Sequence, residues 1–125
     1  MDCRTRHTIL LIFSFTVFIS CASSKEKDVE ISKAAADVAE AASSELSLSQ
    51  RQKVWLEDAV YSMYEAIEIG TEDLTDPSEI AEVRRNAHTE FRHRLEGQFR
   101  NPKTTEILAW YYNYCNGKNK YETEY

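Results

Sequence analysis

Proline occurs only twice in these 125 residues, and both times it stands where a helix should open. The stretches are Thr75-Asp76-Pro77-Ser78-Glu79-Ile80 and Arg100-Asn101-Pro102-Lys103. Proline has no amide hydrogen and a fixed φ, so it breaks helix interiors and strand centres but suits the first helical position. A short polar residue just ahead of it, Asp76 or Asn101, can accept an orphan amide as the N-cap. Glycine occurs three times, at 70, 97 and 117, each time at the end of a run of helically spaced apolar residues. No stretch alternates apolar and polar residues for long enough to make a sheet. The expected fold is all-α: an antiparallel helical hairpin plus a third C-terminal helix, with room for a weak N-terminal helix.

The first strong helix begins at Ser49. Ser49 and Gln52 have the spacing of a capping box, in which each side chain accepts the other residue's amide. Leu48 is the apolar residue before the cap. Leu56, Val60, Met63 and Ile67 then share one face, flanked by Ala59 and Tyr64, and Gly70 is the expected C′ residue. The second helix starts from Asp76 and carries Ile80, Val83, Ala87, Phe91 and Leu95 on its face. It ends at Gly97 or two residues later, because Phe99 keeps the spacing. A loop of about six residues between the two helices makes them antiparallel neighbours. In the third helix Asn101 is the expected cap and Pro102 the first residue. Ile107, Leu108, Trp110, Tyr111, Tyr114 and Cys115 follow, up to Asn116-Gly117.

Ahead of these, Lys25 to Leu46 is rich in Ala and Ser, with Ile31, Ala35, Val38, Ala42 and Leu46 at helical spacing. Alanine buries little area, so a weakly docked helix and a plain tether both fit. The organisation is therefore a leader at 1–20, this segment at 21–47, a helical domain at 48–116 and a polar, fraying tail at 117–125. Three helices make a thin core; below about 70–80 ordered residues a core rarely supplies more than about 3–5 kcal/mol. An exposed apolar or aromatic face is expected, and a homodimer is the simplest way to cover it.

Arg4, Arg6 and His7 precede an apolar run of 12 residues, Thr8 to Ile19. A membrane-spanning helix needs roughly 20 apolar residues, so this is a signal peptide pattern. Phe18-Ile19-Ser20-Cys21 resembles the bacterial lipobox, although Phe18 replaces the usual leucine. The resemblance implies that Cys21 becomes the acylated first residue, anchored at a membrane. Cleavage after Ala22 stays open, because Ser20-Cys21-Ala22 is also small-x-small. Either way the expected location is the bacterial periplasm or outer membrane. Cys3 leaves with the leader, so Cys115 has no disulfide framework to join: it is either buried as a small hydrophobe, which its aromatic neighbours favour, or paired between chains.

Charge is split along the chain. Lys25 to Glu82 holds 5 basic and 15 acidic residues, whereas Val83 to Lys103 holds 6 basic and 2 acidic ones. A whole-chain charge of −6 argues against nucleic-acid binding. The basic segment can pair with the acidic helix or offer a surface to anionic partners.

Leu48-Ser49-Gln50-Arg51-Gln52 resembles the LTxxQ motif of the Spy/CpxP-like periplasmic proteins, with Ser in place of Thr. Family members repeat the motif at the start of a later helix. The matching place here, Phe99 to Thr104, keeps a capping Asn101 and Pro102 but has Thr104 for the glutamine and Arg100 for the leucine. The resemblance covers roughly Leu46 to Tyr114. It implies a helical hairpin, an antiparallel dimer and ATP-independent chaperone or stress-adaptor activity toward other proteins. The nearest counterparts of that family's basic and apolar binding face would be Arg84, Arg85, Phe91, Arg92, Arg94, Trp110 and Tyr111. The alternative is a structural or surface-exposed lipoprotein acting through self-association or one specific partner.

The plainer reading of each feature is that the arginines pair with acids of the first helix or face water, and that the aromatics serve the core. His88 and His93 are five apart, which rotates them off a common face, so they are expected to be surface histidines and not a metal pair. No nucleophile–base arrangement, phosphate loop or metal motif occurs. No enzymatic activity, cofactor or metal is expected.

Overall fold

Four helices form among the described residues, which in this computed structural model are 26–116 and Tyr121. Helix α1 runs over 26–46, α2 over Gln50–Thr71, α3 over Pro77–Gln98 and α4 over Asn101–Cys115. No strand occurs among the described residues. Residues 31–125 form one compact unit and 1–30 another, of which only the exposed helical turn 26–30 is described. The leader, Cys21 and most of the 117–125 tail lie outside the described residues.

The alanine-rich segment is a helix seated in the core. Ile31, Ala35, Val38, Ala39 and Ala42 are all buried. Each alanine removes little surface from water, but its small side chain lets neighbouring helices lie close along the whole stripe. The end of α1 is explicit. Ser47 takes a left-handed conformation, φ 53°, and the Leu48 amide donates to the Ser43 carbonyl at 3.2 Å. That closure satisfies an orphan carbonyl and drops Leu48 into the core. A Lys53–Glu40 ion pair ties α2 back to α1.

Both halves of the capping box are present at the start of α2. The Gln52 amide donates to Ser49 Oγ at 3.2 Å, and the Ser49 amide donates to Gln52 Oε1 at 2.9 Å. Leu56, Ala59, Val60, Met63, Tyr64 and Ile67 are buried along one face. Gly70 is not the C′ residue. The helix continues through it to Thr71, whose hydroxyl donates to the Ile67 carbonyl at 2.6 Å, and Glu72 is the C-cap. Gly70 serves packing instead: a methyl group placed on it would lie 2.6 Å from Val83 Cγ1 of α3.

Asp76 caps α3, accepting the Ser78 amide at 3.0 Å, with Pro77 as its first residue. Ala87, His88, Phe91 and Leu95 are buried, while Ile80 and Val83 are half-buried. The helix passes Gly97 and ends at Gln98. Phe99 is extended, donates its amide to the Leu95 carbonyl at 2.8 Å, and sets its buried ring edge-on to Trp55 at 5.8 Å.

The cap of α4 differs from expectation. Arg100 is the N-cap, without a side-chain hydrogen bond, so Asn101 is the first helical residue and Pro102 the second. Only Phe99 and Arg100 separate α3 from α4, and Phe99 is held in the core, so the chain must turn helical one residue early. Thr104 binds the junction instead. Its buried hydroxyl lies 3.3 Å from the Leu95 carbonyl and 3.4 Å from that of Phe99. Thr104 thus bridges α3 and α4.

The helices alternate in direction. The end of α1 meets the start of α2 through Glu40 and Lys53, Gly70 faces Val83, and Phe91 contacts Tyr111. Across the bundle the Tyr64 and Tyr111 hydroxyls are 3.0 Å apart. Tyr121 is buried too, its ring stacked on Tyr64 at 4.5 Å, so the tail contributes a core residue. Among the described residues the exposed large apolar side chains are Val29, Val54, Ile69 and Tyr112, dispersed over three helices. The expected exposed apolar face is covered by α1 and Tyr121.

Candidate functional site

Helix α3 carries the four arginines singled out above, but it does not hold them on one face. At 3.6 residues per turn, Arg85 and Arg92 lie two turns apart on one flank, with Thr89 between them. Arg94 sits on the opposite flank, about 160° round from Arg92. Arg84 turns toward the core side, is half-buried and makes further contacts. Arg85, Arg92 and Arg94 are exposed, and none of them is in an ion pair among the described residues. Pairing with the acids of α2 therefore does not consume these three.

On the flank of Arg85 and Arg92, α3 meets α4 over a hollow of ≈130 Å³ lined by Arg85, His88, Thr89, Arg92 and Tyr112. His88 is buried, unlike the surface histidine expected. Its ring stacks on Tyr112 at 5.8 Å, and Nδ1 lies 3.3 Å from the Tyr112 hydroxyl. A larger hollow, ≈540 Å³, shares Arg92 and Tyr112 and continues along the same groove past Glu96, Asn101, Thr105 and Leu108. Thr89 donates its hydroxyl to the Arg85 carbonyl at 3.0 Å, which fixes the side chain at the rim and leaves its oxygen able to accept.

The aromatics of α4 divide by position. Tyr111 is buried against Phe91, whose ring is 5.1 Å away and also buried. Phe91 and Tyr111 are thus core residues and have no face to offer a partner. Helical geometry requires this, because both lie on the stripe that points at α2. Trp110 is half-buried, stacks on Tyr114 at 4.7 Å and donates its indole N–H to Glu45, holding α4 to α1. Tyr112 is the aromatic that reaches solvent beside the arginines.

The cap residues Leu48, Ser49 and Gln52 have structural tasks at the α1–α2 junction, and Asn101 lines the larger hollow. Among the described residues no group of His, Cys, Asp and Glu side chains is placed to hold a metal ion, and no helix is long and apolar enough to cross a membrane. Thr89, His88 and Tyr112 were absent from the expected site. The first two are legible in hindsight as the i+4 and i+3 neighbours of Arg85; Tyr112 comes from another helix and needs the fold. Comparison with protein-family models, with curated proteins and with solved structures finds no match.

Proposed function

We propose that this chain is an exported module that binds other proteins without ATP, as a chaperone or stress adaptor of the bacterial envelope and not as an enzyme. The leader pattern and Cys21 support a lipid-anchored location at the periplasm or outer membrane. The capped Leu-Ser-x-x-Gln start agrees with the Spy/CpxP-like resemblance. The observation that carries the proposal is the pair Arg85 and Arg92, exposed and outside any ion pair among the described residues, at the rim of the α3–α4 groove. Guanidinium groups bind carboxylates with two parallel hydrogen bonds and attract acidic segments at long range. Large apolar side chains near them are few, so the hold on a client is mainly electrostatic, with Tyr112 as the aromatic contact.

The test is aggregation of an unfolding acidic model protein at equal molar ratio, with no ATP. Suppression is expected at ~0.05 M salt and should be largely lost near 1 M, where screening shortens the reach of charge to about 3 Å. Arg85→Glu with Arg92→Glu should abolish it, while Arg94→Glu should leave most of it. No suppression at low salt, or suppression indifferent to the Arg85/Arg92 double variant, would sink the proposal.

A further inference from the structure

The smaller hollow is built for more than general attraction. Two arginines two turns apart flank it, and Tyr112 closes it from α4 beside His88. Seven helical residues span about 10 Å, which two extended guanidinium groups can bridge from either end onto one group between them. A water needs roughly 10–15 Å³ of such space, so ≈130 Å³ admits a polyatomic anion. We infer that this hollow binds the phosphate group of a phosphate monoester whose hydroxylated organic part lies in the adjoining hollow.

The choice of anion follows from donor count and charge. Each guanidinium presents five N–H donors and no acceptor. A phosphate monoester carries about −1.5 to −2 charges and three terminal oxygens, enough to satisfy both arginines at once. A carboxylate offers two oxygens and one charge, and would leave one arginine unserved. The adjoining hollow selects the rest of the ligand. Glu96 there repels a second phosphate but accepts hydrogen bonds from hydroxyl groups; Asn101 can donate or accept; Leu108 supplies a small apolar wall. A polyol or sugar monophosphate suits that lining, whether free in solution or displayed as a lipid headgroup. The inference shares Arg85 and Arg92 with the client-binding proposal but does not need a client, because the phosphate is titrated with no other protein present.

The experiment is titration of the full chain with glycerol 3-phosphate, in chloride buffer at constant ionic strength, followed by amide chemical shifts and calorimetry. One saturable site is expected, with shifts centred on Arg85, Thr89, Arg92 and Tyr112. Arg85→Met and Arg92→Met should each weaken binding about tenfold or more, the usual effect of losing a charge-assisted hydrogen bond. Arg94→Met removes the same charge from the same helix and should change affinity less than about twofold. Glycerol should not bind. A parallel arm uses vesicles of phosphatidylcholine with and without phosphatidic acid. Binding to the soluble ester assigns the site to a small molecule. Binding only to phosphatidic acid vesicles, with the same arginine dependence, assigns it to a lipid headgroup. Binding to neither, or equal losses in the Arg92 and Arg94 variants, overturns the inference.

Discussion

Tyr111 is a titratable residue buried in the core. Burial holds its phenol neutral well above the ordinary tyrosine range, and neighbouring Tyr64 and Cys115 push the same way, through anion repulsion and hydrogen bonds. The unfolded chain releases this proton near pH 10 and the native protein does not. The stabilising contribution is therefore whole below about pH 10 and is lost as pH rises further, because the native state then binds more protons. Urea midpoints should fall more steeply once the pH passes about 10. Tyr111→Phe should lessen that fall while costing about 1 kcal/mol at neutral pH for the lost hydroxyl contact. An unchanged alkaline slope in the variant would exclude this origin. At this scale some residues could be understood from their neighbours in the chain and some could not. The Ser49–Gln52 box lies within four consecutive residues, so the chain itself specifies it. Asn101 has the same local signature as a cap, yet Phe99 is anchored in the core two residues earlier, and that distant demand moves the helix start.

At the scale of elements, the glycines of α2 and α3 look alike in sequence and differ in packing. Gly70 has Val83 where a side chain would go, whereas nothing lies within 4 Å of the corresponding point at Gly97. Alanine is favoured over glycine inside a helix by roughly 0.8–1 kcal/mol. Gly97→Ala should therefore stabilise the protein by about 0.5–1 kcal/mol. Gly70→Ala should destabilise it by about 1 kcal/mol or more, because Val83 is branched at Cβ and cannot swing both methyl groups aside. Adding Val83→Ala to Gly70→Ala should recover much of that loss, and thermal melts of the single and double variants measure the coupling. If Gly70→Ala and Gly97→Ala stabilise alike, the close approach of α2 and α3 is looser than described. Helix α1 was the element hardest to weigh from sequence. Its periodicity was visible, but a stripe of alanines carries little transfer energy, and the closeness it allows appears only once the neighbouring helices are in place.

In the whole molecule, α1 and the buried Tyr121 complete a core that the three later helices would leave open. Tyr121 could not be anticipated, since a single aromatic in a polar tail has no periodicity to mark it. The candidate site lies between α3 and α4, and its arginines were visible as a charge cluster. Which two of them share a flank follows from the helix period alone, but which partner residues they meet required the α3–α4 pairing. The connections between helices are short: three residues from α1 to α2, five from α2 to α3, two from α3 to α4. Nearly every helix therefore finds its packing partner next to it in the chain, and little loop entropy is lost before contacts form. Helical bundles with such local contacts refold in microseconds to milliseconds. Tryptophan fluorescence after rapid dilution from urea should show one fast phase of about that order, with Trp55 reporting from α2 and Trp110 from α4; a dominant phase of seconds would contradict it. A chain that crosses a membrane unfolded, as the leader pattern proposes, would then spend almost no time on the far side as a sticky, half-formed intermediate.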